Sequence, residues 1–166
     1  MAEFDELCVI LHCDTKQSEH IIYTMNKELT IEDIQEIVAK DESRYLELKQ
    51  TTGELYKAMT SACAFLNTDG GWVLFGVTPK LKIVGQNVTD PTRQEIANAL
   101  RKFEPAIDVP VQYIEIPEKE GFYVIAMYFN PPAPTQAPYT FDARPYYKVE
   151  NTTAIMPREM FESRIR

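Results

Sequence analysis

Glu47 and Lys49 stand two residues apart in the run Leu46-Glu47-Leu48-Lys49, a few residues after Glu42. Two carboxylates with an ammonium beside them can hold a divalent cation and steady a phosphate, the chemistry of metal-dependent phosphodiester cleavage. The competing reading is a solvated strand face on which Glu47 and Lys49 pair with each other, an arrangement that is common and weak. The residue types favour the second. A richer stretch lies near the C-terminus, where Arg144, Tyr146, Tyr147 and Lys148 are followed by Asn151, Thr152 and Thr153. Cations and hydroxyls of this kind contact phosphates, and an exposed tyrosine stacks on a base. The same residues also suit a sheet edge with its tyrosines packed on the core.

Other constellations carry less. Cys8, His12, Cys13 and His20 have no usual zinc spacing, so no metal site is expected there. The turn from Asn67 through Gly70 and Gly71 precedes a strand rather than a helix, and no Walker lysine follows, so ATP binding is unsupported. Its glycines permit a chain reversal, as does Gly76 further on, and Asn67 or Asp69 caps it. Ser61 lacks a nucleophile elbow, and Cys63 lies on the apolar side of a helix.

The elements that must position these residues follow from periodicity. Leu46 and Leu48 alternate with Glu47 and Lys49, a period of two that predicts a strand with leucines on one face. From Glu54 to Leu66 the apolar positions Leu55, Met59, Ala62 and Leu66 recur at helical spacing. They predict a helix burying Met59, Ala62 and Leu66 and exposing Lys57. Trp72 to Val77 is almost wholly apolar, as a strand buried on both faces would be.

Upstream, Thr30 caps a helix whose first turn carries Glu32 and Asp33 and whose apolar face is Ile31, Ile34, Ile37 and Val38. Leu7–Leu11 and Ile21–Thr24 read as two short strands. Downstream, a short strand is expected around Lys82–Val84, and a break at Asp90-Pro91. A helix capped by Thr92 and Glu95 follows. Val111–Ile116 and Phe122–Phe129 form a hairpin, a proline-rich connector comes next, and Tyr146–Val149 is a last strand before a helix opened by Pro157.

The totals bound the class. With 166 residues and 45% apolar side chains, the chain is long enough for one domain with a real core. No apolar run reaches the roughly 20 residues of a membrane helix, so no membrane partner is expected. Three cysteines without a regular spacing point to reduced thiols and a cytoplasmic location. The net charge of −8 is uneven: residues 1–41 hold ten acids and three bases, leaving fifteen acids and fourteen bases for residues 42–166. Residues 1–29 therefore read as an accessory segment, and residues 30–166 as the domain.

Glu42-Ser43 with Leu46–Lys49, Ala64–Gly71, Leu74–Val77, Ile83–Gly85, and Tyr146–Val149 with Asn151–Thr153 occur in an order and spacing that resemble the Schlafen-type AlbA-like domain. The resemblance covers about residues 30–166. It implies an α/β (α+β) fold, a mixed sheet with helices packed on it in a single domain, and a nucleic-acid-related role. Bacterial relatives resemble DNA-binding transcription regulators, and some animal relatives resemble RNA endonucleases. The nuclease-type relatives place an acid just after the Gly-Val pair, where this chain has Thr78 and Pro79. Glu150 stands where relatives often carry glycine.

The expectation is thus a DNA- or RNA-binding module with no cofactor, contacting nucleic acid through Lys49, Arg144, Tyr146, Tyr147, Lys148, Asn151 and Thr152. The enzyme alternative is a magnesium- or manganese-dependent endonuclease using Glu42 and Glu47. A third class, an interaction domain forming a homo-oligomer, follows from the acidic leading segment and the near-neutral body.

Overall fold

The computed structural model describes residues 27–40 and 44–165. Glu42, the strands expected at 7–11 and 21–24, and the cysteines and histidines near the N-terminus lie outside the described residues. Among the described residues, four α-helices and nine strands follow one another: α1 (Ile31–Lys40), β1 (Leu46–Lys49), α2 (Leu55–Leu66), β2 (Gly71–Phe75), β3 (Gln86–Asn87), α3 (Asp90–Leu100), β4 (Phe103–Glu104), β5 (Gln112–Glu115), β6 (Phe122–Phe129), β7 (Thr140–Phe141), β8 (Tyr146–Val149), β9 (Thr152–Ile155) and α4 (Arg158–Arg164). This is a single-domain α/β fold with a mixed open sheet.

β2 and β6 form the centre of the sheet. β1 runs parallel to β2, pairing Leu46 with Trp72 and Lys49 with Phe75. β6 is antiparallel to β2, and its register places β2 and β3 along one edge and β5 along the other. Every residue of β2 is buried, as its unbroken apolar run requires. Helices cover both faces. On one, Ile34, Ile37 and Val38 of α1 pack on Leu46, Trp72, Leu74, Ile114 and Val124. On the other, Met59, Ala62, Phe65 and Leu66 of α2 pack with Val73, Phe75, Ile125, Met127 and Ile96 of α3. Lys57 is exposed, as the helical stripe predicts.

Two helix starts show local chemistry choosing the boundary. Thr30 Oγ1 accepts from the Asp33 amide at 3.3 Å while Asp33 Oδ2 accepts from the Thr30 amide at 2.8 Å. The backbone donor of Thr30 holds the Asp33 carboxyl below its ordinary range. The cap of α3 is Thr89, not Thr92, and Thr92 supplies the reciprocal side chain. Asp90-Pro91 begins the helix rather than breaking the chain, because a proline costs nothing where its missing N–H has no partner anyway. Lys82–Val84 likewise does not join the sheet. Ile83 makes only an isolated bridge to Val77, and β3 forms at Gln86–Asn87 after Gly85 turns the chain.

The domain's start is anchored by a side chain. Gln112 on β5 accepts from the Leu29 amide at 2.7 Å and donates to the Lys27 carbonyl at 3.3 Å. Leu29 itself is buried in the core under α1. A chain beginning at Lys27 is therefore expected to unfold in one sharp thermal transition, measured by circular dichroism. Loss of that transition would place residues 1–26 in the cooperative unit.

Candidate nucleic-acid interface

α2 positions the site. Its C-terminal residue Asn67 is only 4% exposed. Its amide donates to the carbonyls of Tyr139 at 2.9 Å and Tyr146 at 2.7 Å, and its Oδ1 accepts from the Tyr139 amide at 2.7 Å. One side chain thus clamps both ends of the segment that leads into β8. Two glycines finish the turn geometry. Gly70 adopts φ 75°, and a Cβ there would meet Pro131 at 2.7 Å and the Phe129 carbonyl at 2.9 Å. Gly76 adopts φ 96°, with the Gly85 Cα 2.8 Å from where its Cβ would stand. Gly71 opens β2.

Held by Asn67, β8 lies along α2. The Lys148 amide donates to Thr68 Oγ1 at 3.1 Å, and the antiparallel pairing with β9 sets Lys148 opposite Thr153. Asn151 and Thr152 are exposed at the hairpin's turn and outer face, Tyr146 packs on the core, and Tyr147 is half-buried opposite Ala154. Glu150 forms the turn with φ 55°. That is the left-handed backbone that glycine adopts without cost.

The hairpin carries Lys148 inward. It is 6% exposed, its Nζ lies 4.9 Å from the centroid of the Phe65 ring, and it donates to Thr153 Oγ1 at 3.0 Å. Thr153 Oγ1 is in turn 3.2 Å from Ser61 Oγ. Burial holds the ammonium below the usual lysine range, the Glu47 carboxylate opposes that shift, and Arg44 adds to it. Glu47 is shared: Lys49 Nζ sits 3.1 Å from its Oε1 and 3.9 Å from Glu54. Arg44 grips Asp69 through two nitrogens, at 2.9 Å and 2.7 Å. Arg164 donates to the Asn67 carbonyl at 3.1 Å, bringing a further cation to the end of α2.

Glu47 thus pairs with Lys49 and acts electrostatically on Lys148, whereas Arg144 stands apart. Arg144 is exposed at the opposite end of β8, about 13 Å along the strand at the usual rise. Among the described residues, no three His, Cys, Asp or Glu side chains come together to hold a metal ion. Cys63 is buried, and burial pushes its thiol up to about 12, so a thiolate nucleophile is not available there. The sequence reading missed Arg44, Arg164 and Tyr56, the last exposed on α2. Arg44 and Arg164 belong to no periodic pattern and reach the site only through tertiary contacts. Tyr56 falls off the apolar stripe, which is the one signal it carried.

Among the described residues, no helix is long and apolar enough to cross a membrane. Residues 42–157 match the family described as Schlafen, AlbA_2. No curated protein matches the chain. Among solved structures, the DIP2311 protein from Corynebacterium diphtheriae aligns with a TM-score of 0.49 at 19% identity, over 80% of this chain and 31% of its own. This chain thus spans about a third of that protein's length.

Proposed function

The chain belongs to the Schlafen AlbA_2 family, and from that premise we propose that it is the nucleic-acid-binding module of a cytoplasmic transcription regulator, holding DNA or RNA by its phosphates without cutting it. Family membership supports a nucleic-acid-related role. The observation that carries the binding reading is that Lys49, paired with Glu47, and Arg44, paired with Asp69, come from one part of the chain and Lys148 from another, with Glu47 and Arg44 both in electrostatic reach of Lys148. Exposed Arg144 and half-buried Arg44 make the outer contacts, and the two lysines set the positive potential between them.

The same geometry limits affinity. Glu47, Glu54 and Asp69 already neutralise much of the cluster, so a phosphate competes with carboxylates for each cation. About three effective contacts give a log–log salt slope of only about −2 to −3.

The test is a salt-titrated binding assay of the full chain against duplex DNA, single-stranded DNA and structured RNA. Glu47→Gln is expected to tighten binding severalfold by releasing Lys49 and removing a negative charge near Lys148, and no substrate should be cut in magnesium or manganese. Metal-dependent cleavage that Glu47→Ala abolishes would replace this reading with the endonuclease. Absence of binding to every substrate at low salt would leave an interaction domain.

A further inference from the structure

A cleft of about 290 Å³ opens between the first turn of α2 and the second half of α3, remote from Glu47. Its floor is Leu55, Ala99 and Phe141, and its walls are Tyr56, Glu95, Asn98 and Lys102. Glu95, Asn98 and Ala99 of α3, with Lys102 in the turn just past its end, recur at intervals of three and four and line one side of the cleft. Glu95, Asn98 and Lys102 are exposed along this rim, while Ile96, Ala99 and Leu100 make the apolar contact with the α2 core. Among the described residues, neither the Asn98 amide nor the Lys102 ammonium has a hydrogen-bond or ion-pair partner.

The cleft's aromatic wall is held in place. Tyr56 is 50% exposed, yet its hydroxyl donates to Asp142 Oδ2 at 2.7 Å and its ring lies tilted on Phe141 at 5.1 Å. Asp142 reaches it from a tight turn whose two central residues, Asp142 and Ala143, both adopt left-handed backbone, φ 50° and 66°. Neither is glycine, so the turn stores strain, and such strain concentrates where a ligand is held. The Asp142 amide donates to the Lys102 carbonyl at 3.1 Å, tying this turn to the end of α3. Lys102 Nζ stands 5.9 Å from the Tyr56 ring centroid, and Arg144 follows the turn, its charge felt at the Tyr56 hydroxyl.

A preset aromatic face, a free amide, a carboxylate and two unneutralised cations suit a planar, hydrogen-bonding, anionic ligand. We propose that this cleft takes one unstacked base of a single-stranded nucleic acid, an inference that rests on the binding function above and assigns its substrate class. Tyr56 stacks on the base. Glu95 accepts from its exocyclic amine, Asn98 pairs with its edge, and Lys102 and Arg144 hold the flanking phosphates. Adenine, cytosine and guanine carry such an amine and thymine does not, so the site disfavours thymine. Arg144 links this cleft to the Lys148 end of β8, a span of two or three nucleotides.

The full chain is titrated at low salt with (dA)10, (dC)10, (dT)10 and a duplex of equal charge. Tyr56→Ala is expected to weaken (dA)10 binding about tenfold with its salt slope unchanged, since stacking releases no counterions. Tyr56→Phe should stay near wild type, and Glu95→Ala, a change at an exposed position, should erase the preference over (dT)10 while preserving the fold. Folded Tyr56→Ala that binds (dA)10 as wild type does would overturn the cleft and leave nucleic-acid binding standing. Should the wild type bind no polymer, titration with dAMP followed by the Tyr56 ring resonances decides independently. A shift there supports the cleft although the binding module has failed, and its absence removes both.

Discussion

Asn67→Ala is expected to lower stability by about 3–5 kcal/mol, a larger loss than any surface change in this chain. The substitution removes no bulk from the apolar core. It strands the Tyr139 amide and takes the Asn67 amide donor from the carbonyls of Tyr139 and Tyr146, leaving the Tyr139 carbonyl only a weak Cys63 thiol donor at 3.5 Å. A buried backbone group left without a partner costs about 1–3 kcal/mol. Asn67→Asp should be nearly as damaging, because it keeps the acceptor for Tyr139 but turns a carboxylate oxygen toward two carbonyls. For a domain of this size each kcal/mol shifts the midpoint by about 2–4 °C, so calorimetry should record a fall of roughly 10 °C or more. A fall of only a degree or two would mean that water replaces the clamp. Because the clamp also docks β8, the residual folded protein should lose nucleic-acid affinity as well.

Lys148→Met should separate stability from binding. Methionine keeps an unbranched stem against Phe65 and removes an ammonium that burial disfavours, while Glu47 retains Lys49 as partner. Stability at neutral pH is therefore expected to hold or rise. The wild type has a further signature. Its folded Lys148 titrates below the ordinary 10.5, so between those two values the unfolded chain binds more protons and stability climbs with pH. That climb should vanish in Lys148→Met, as chemical denaturation at pH 7 and at alkaline pH will show.

Binding should move the other way. Losing its charge from the potential between the outer arginines is expected to weaken affinity severalfold at 50 mM salt and to flatten the salt slope by less than one unit. A variant that loses stability and keeps its affinity would make Lys148 a structural partner of Glu47 and nothing more.

Much of the architecture was legible in the chain because local pattern and global packing agree. The alternation at Leu46–Lys49 and the stripe on α2 each name the face that meets the sheet, and the apolar run of β2 marks the central strand. These features were readable because burial of apolar surface drives them and has a fixed period in each element. Errors arose where side chains answered the backbone instead. Thr89 rather than Thr92 caps α3, and residues 82–84 fold back on Val77, since one hydroxyl or one left-handed residue moves such a boundary without altering the apolar pattern.

The site divided along the same line. The types at Glu47, Lys49, Arg144 and Lys148 announced charge chemistry. Only the tertiary structure decided that Lys148 lies nearly buried in electrostatic reach of Glu47, that Arg144 stands apart from it, and that Thr152 and Thr153 belong to a strand. It also decided that the aromatic face at Tyr56 opens onto Asn98 and Lys102, residues with no sequence relation to it. Charge and hydropathy are properties of a residue and can be read one letter at a time. Proximity depends on how β8 docks along α2, and that docking rests on the three hydrogen bonds of Asn67, which no periodicity encodes.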